Sequence, residues 1–97
     1  MKVTFNSRAN REVRSISEYY TIEAGVDHAQ GFLDELDKAI ERIKLWPRSF
    51  PTIDADIRRA VLSKYPFIVL YQMESDDCLR ILAVRHHKQD PDLGLVS

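Results

Sequence analysis

The period of the hydrophobic positions changes twice along the chain. Residues 2–6, Lys2-Val3-Thr4-Phe5-Asn6, alternate polar and apolar, which predicts a short strand. Ala9, Val13, Ile16 and Tyr20 then recur at spacings of four, three and four and make one helical stripe. Asn6 or Ser7 can cap this helix through a side-chain oxygen, and Gly25 can end it in a left-handed cap. A second stripe follows through Val26, Ala29, Leu33, Leu36, Ile40 and Ile43, widened by Phe32, Ala39 and Trp46. Asp27 is its expected N-cap, with Gln30 as capping-box partner. Pro47 ends it, because the residue before a proline is pushed out of the helical region. The short break at Gly25 predicts an antiparallel helix hairpin.

Beyond Pro47 the period returns to that of strands. Arg48 to Asp56 reads as a loop, with Phe50 and Ile53 tucked against the core. Strands are predicted near residues 57–63, 66–73 and 78–86, joined by Lys64-Tyr65-Pro66 and by the polar turn Glu74-Ser75-Asp76-Asp77. Such short connections imply an antiparallel meander. The expected fold is therefore α+β and one domain over residues 1–97: N-terminal strand, antiparallel helix hairpin, three-stranded antiparallel meander. Phe67 to Met73 is nearly continuous apolar sequence, as in a strand buried on both faces. A helix hairpin covers one face, so the other is expected to carry an uncovered apolar patch that docks a partner.

Charge refines this picture. The chain has 15 acidic and 14 basic residues, a net charge of -1, which disfavours non-specific binding of nucleic acid by the whole surface. The distribution is uneven. Asp27, Asp34, Glu35, Asp37 and Glu41 crowd the second helix against Lys38, forming a solvated face with ion pairs such as Asp34–Lys38. Arg80, Arg85, His86, His87 and Lys88 gather on and after the last strand without an acid among them, closed by Gln89-Asp90-Pro91. The lone Cys78, the lack of any membrane-length apolar run and the lack of a signal-peptide pattern after Met1 give a cytoplasmic expectation. No cofactor or metal is expected. There is no Gly-rich phosphate loop, and adjacent His86 and His87 on a strand point to opposite faces and cannot chelate one ion. His28 reads as structural, and Tyr19, Tyr20 and Trp46 read as packing residues.

The order and spacing of four segments resemble the RelE/ParE toxin superfamily of bacterial type II toxin–antitoxin systems, and its ParE-like branch in particular. These are Phe32-Leu33-Asp34-Glu35-Leu36 running on to Ala39-Ile40-Glu41-Arg42-Ile43, the break Pro47-Arg48-Ser49-Phe50-Pro51, the strand Arg58-Arg59-Ala60-Val61-Leu62, and the ending Ile81 to Pro91. The resemblance covers nearly the whole chain. It implies a plasmid-stabilisation type of toxin, encoded beside a cognate antitoxin that folds along its surface in a hetero-oligomeric complex. ParE-like members poison DNA gyrase, whereas RelE-like members cut messenger RNA on the ribosome.

The two modes ask for different residues. RNA cleavage needs groups that activate the ribose 2′-hydroxyl, stabilise the phosphorane and protonate the leaving oxygen. The resemblance matches Arg59, Arg85 and His86 or His87 to the positions RelE-like nucleases use. Against that mode stand the slightly acidic chain and Asp54 and Asp56 where lysines are expected. Inhibition of gyrase needs only a binding surface. Its expected residues, shared with antitoxin binding, are Arg58, Arg59, Tyr71, Arg80, Arg85, His86, His87 and Lys88. The expectation is thus a non-catalytic gyrase inhibitor. The alternatives are a ribosome-dependent endoribonuclease and an inactive toxin-like binding protein.

Overall fold

Asn6 starts the first helix as expected, its Oδ1 accepting the Ala9 N–H at 2.8 Å. A computed structural model describes residues 1–88. In chain order the elements are β1 (Lys2–Phe5), α1 (Ser7–Ala24), α2 (Val26–Leu45), β2 (Thr52–Asp54), β3 (Ile57–Val61), β4 (Phe67–Ser75) and β5 (Cys78–His86). Gly25 serves both helices. Its φ of 99° ends α1 while its N–H donates to the Tyr20 carbonyl at 2.9 Å, and the same residue is the N-cap of α2. Asp27 therefore sits inside the first turn of α2 rather than capping it, where its charge still faces the positive helix end. Gln30 makes no capping box and instead donates to Asp34 Oδ1 at 2.9 Å. The Asp34–Lys38 pair expected on this face does not form among the described residues; Glu41 and Lys44 pair instead, at 3.1 Å.

The sheet has the order β1-β5-β4-β3-β2. The meander is antiparallel, and β1 joins its β5 edge in parallel, reached through the helix hairpin. One strand was not expected. Thr52–Asp54, read as loop, pairs with β3 through Thr52↔Arg58 and Asp54↔Ile57. It turns back through Ala55, whose φ of 48° is the one left-handed backbone among the described non-glycine residues.

The helices pack on one face. Phe32, Leu36 and Ile43 of α2 and Ala9 of α1 meet Ala60, Val69, Tyr71, Leu79 and Ile81 in one cluster. The aromatic rings of Tyr20, Phe32, Tyr65 and Phe67 interlock there, with the Phe32 and Phe67 centroids 5.3 Å apart in an edge-on arrangement. Burial, and then the neighbouring Tyr65 and Tyr19, raise the pKa of Tyr20. Gly31 lets this cluster close, because the Tyr65 hydroxyl lies where a Cβ would stand, and that hydroxyl donates to the His28 carbonyl at 3.3 Å. The stripe frays at its ends. Val26 is exposed at the hairpin tip, and Tyr19 and Trp46 are exposed rather than packed. Trp46 lies past the last helical turn with φ −137° and ψ 67°, so the helical period no longer sets its direction. Glu35, placed on the polar side by the pattern, is buried, with Lys64 Nζ 3.9 Å away.

The opposite sheet face corrects a larger expectation. Ile68, Leu70 and Ala83 form a second, separate cluster there, flanked by Ile53, Ile57 and Leu82, and all three are buried. The face is apolar as the sequence implied but is not a bare patch; β2 contributes Ile53 to its cover. Val61 is its exposed large apolar residue among those described.

Candidate functional site

Strand register divides the expected site residues between two faces. Arg58 lies opposite Tyr71, and His86 opposite Phe67, on the helix side. Arg59 lies opposite Leu70, and Arg85 opposite Ile68, on the other side. The eight residues therefore do not form one patch.

On the helix side, Arg58 and Tyr71 hold the 47–51 segment down. Arg58 Nη1 donates to the Phe50 carbonyl at 2.6 Å, and the Tyr71 hydroxyl donates to the Pro47 carbonyl at 2.7 Å. Tyr71 is fully buried, so it touches no partner directly. Burial pushes its pKa up to about 12, with the Arg58 charge opposing the rise.

The β5 edge is built around a residue that sequence reasoning missed. β1 stops at Phe5, opposite Ile81, and leaves the end of β5 without a neighbouring strand. There Glu12 of α1 takes over. Its Oε1 accepts the Val84 N–H at 3.0 Å, while its Oε2 lies 3.7 Å from Arg85 Nε and 3.6 Å from Arg8 Nε. The Arg85 side chain is only 7% exposed, so the expected exposed cation is an interior ion-pair member. No signal along the sequence could have joined Glu12 to Val84; only the Arg8–Glu12 spacing of four was visible. Beside this cluster runs a groove between α1 and β5. One part, about 430 Å³, is lined by Arg8, Arg11, Glu12 and Val84. The next, about 470 Å³, is lined by Tyr19 and Tyr20. Ser15, Ile16, Phe67 and His86 are common to both. The His86 ring packs edge-on against Phe67 at 5.3 Å, and its Nδ1 accepts the Lys88 N–H at 3.0 Å.

Arg59 and His87 meet on the far face, with Arg59 Nη2 3.4 Å from His87 Nε2. The His87 backbone N–H donates to the Pro66 carbonyl at 2.6 Å. Arg80, half-exposed on this face, pairs with Glu74 at 3.3 Å. Lys88 is exposed. Of the residues matched to nuclease positions, Arg59 and His87 come together, whereas Arg85 is engaged by Glu12 and His86 faces the groove. Among the described residues no group of three or more His, Cys, Asp or Glu side chains is arranged to hold a metal ion.

The family model described as the ParE toxin of the type II toxin–antitoxin system parDE matches residues 3–91. No significant match was found among curated proteins. Solved structures that share the fold include a toxin–antitoxin chain and a toxin. A chain of the chromosomal ParDE toxin–antitoxin system from P. aeruginosa superposes with a TM-score of 0.76 at 15% identity, covering 89% of this chain and 95% of that one. The isolated E. coli RelE toxin superposes with a TM-score of 0.57 at 15% identity, covering 99% of this chain and 98% of the other.

Proposed function

We propose, from the premise that this chain belongs to the ParE toxin family of type II toxin–antitoxin systems, that it inhibits DNA gyrase by binding and is neutralised by a cognate antitoxin. The observation that carries the binding mode is the engagement of Arg85 by Glu12. A guanidinium that stabilises a phosphorane must be open to substrate, and this one is 7% exposed and faces a carboxylate. The orientation of His86 toward the α1–β5 groove and of His87 toward Arg59 separates the two imidazoles that an acid–base pair would use together. Inhibition by binding asks for none of this, only for a rigid surface with charged and apolar contacts.

The antitoxin's seat in this reading is the groove between α1 and β5. Its floor of Ile16 and Phe67 is apolar and its rim carries Arg8 and Arg11. An acidic, partly apolar segment complements that lining. The chain would act in the cytoplasm, where gyrase is. No helix among the described residues is long and apolar enough to cross a membrane.

Pulse-labelling of DNA and protein synthesis after induction of this chain alone in bacteria tests the reading. Early loss of DNA synthesis with a DNA-damage response is the expected result. Early collapse of protein synthesis with cleaved transcripts moves the chain to the ribosome-dependent nucleases. Unaffected growth makes it an inactive toxin-like binding protein.

A further inference from the structure

Apart from Arg11 and Arg14, which are exposed on α1, Arg59 differs from the other arginines in what its guanidinium touches. Arg8 and Arg85 share Glu12, Arg80 has Glu74, and Arg48 has Asp76. Arg42 and Arg58 donate to the carbonyls of Val61 and Phe50. Arg59 is half-buried on the far face of the sheet, its Nε is fully buried, and among the described residues that Nε has no acceptor. Its Nη2 meets another nitrogen, His87 Nε2, rather than an oxygen. A buried guanidinium N–H left without an acceptor is costly, and an external oxyanion bonded to it removes that cost.

We infer that Arg59 and His87 form a binding site for a single carboxylate presented by a protein partner. The guanidinium supplies planar donors, and the imidazole supplies a further donor when its Nε2 carries the proton. The surroundings favour one carboxylate over a nucleic-acid backbone. The same face carries Asp56, held by Gln72 at 3.4 Å, and Glu74, which neutralises Arg80. Arg85 is likewise neutralised by Glu12. A polyanion laid across this face meets these acids and finds no track of free cations, whereas one acidic side chain meets only Arg59 and His87. Val61 lies two positions along β3 on the same face and is 47% exposed, so an apolar residue beside the acid has a contact surface. This inference goes beyond the gyrase reading and does not depend on it, since the site recognises a chemical group whichever protein carries it.

The test follows the arginine Nε–H signals of the ¹⁵N-labelled purified chain by NMR, with the blocked dipeptide N-acetyl-Val-Asp-amide as probe. The Arg59 signal is expected to move saturably, while Arg80, already paired, stays in place and the Val-Asn analogue has no effect. His87→Ala is expected to weaken the dipeptide about tenfold, the share of one charge-assisted hydrogen bond. Folding of this variant is checked by its unchanged Tyr71 and Val84 amide signals. An Arg59 signal that does not respond, or that moves in step with Arg80, overturns the site. An octathymidylate that shifts Arg59 at lower concentration than the dipeptide overturns the carboxylate assignment and makes the site a phosphate site. Gyrase takes no part in the readout, so failure here and failure of the proposed function are separable.

Discussion

Glu12 accepts the Val84 N–H at 3.0 Å across 72 residues of sequence. The same carboxylate lies against Arg8 and Arg85. One side chain of α1 thus finishes the sheet edge that β1 leaves open and neutralises a buried arginine. An unpaired strand edge is a template for foreign strands, and a charged side chain laid along it is a common defence. Glu12→Ala removes both roles. The expected loss is about 2–4 kcal/mol, because a buried guanidinium and an edge N–H lose their partner together. Glu12→Gln keeps an acceptor for Val84 and should cost about half as much. The double variant Glu12→Ala/Arg85→Leu should recover part of the loss, since no buried charge is then left alone. Urea denaturation measures all three; equal destabilisation by Ala and Gln contradicts the double role.

Tyr71 gives a prediction in pH. Its hydroxyl is held by the Pro47 carbonyl, and burial sets its pKa at about 12, against about 10 in an unfolded chain. Below about pH 10 both states keep the proton and the contribution to stability is whole. Between about pH 10 and 12 the unfolded chain loses its proton first, so stability falls as pH rises. Tyr71→Phe should cost about 1–2 kcal/mol at neutral pH through the lost hydrogen bond. It should also flatten the decline above pH 10 relative to the parent. Parallel slopes for the two proteins in that range contradict the assignment.

Ala55 predicts a gain. It holds φ 48° in the turn between β2 and β3, a conformation that strains residues with a Cβ. Ala55→Gly removes that strain but gives the unfolded chain more freedom, for a net gain of about 0.5–1 kcal/mol. A thermal melt reads it directly, and a lower midpoint in the glycine variant contradicts the strain argument.

Gly31 predicts the opposite sign. Ala for Gly inside a helix ordinarily adds about 1 kcal/mol through propensity. Here the new Cβ meets the Tyr65 hydroxyl, so Gly31→Ala should destabilise by about 1–2 kcal/mol as the ring is displaced. Tyr65→Phe combined with Gly31→Ala should be less costly than Gly31→Ala alone, because the colliding oxygen is gone. A stabilised Gly31→Ala protein would show that the ring moves freely.

The helices and the main strands were legible because their apolar positions repeat with a clear period. The α2 stripe through Leu36, Ile40 and Ile43 is buried as read, and Phe67 to Tyr71 is buried throughout. β2 was not legible, since Thr52–Asp54 is too short to show alternation and is defined by its pairing with β3. Nor was the parallel placement of β1, which depends on where the hairpin returns the chain. Trp46 and Tyr19 were read as packed because aromatic residues usually are, but each lies where the helix period turns away from the sheet or has ended. At the site, composition located the basic residues but could not say which were free. That depended on partners remote in sequence: Glu12 for Arg85, Pro47 for Tyr71 and His87 for Arg59. Gln89-Asp90-Pro91, which close the basic cluster, lie outside the described residues.

The most direct test of the central claim is ATP-dependent supercoiling of relaxed plasmid by purified gyrase with the purified chain added. The expected result is dose-dependent loss of supercoiling, reversed by the cognate antitoxin, with messenger RNA left intact by the same preparation on translating ribosomes. Undiminished supercoiling together with cleaved messenger RNA would contradict that claim.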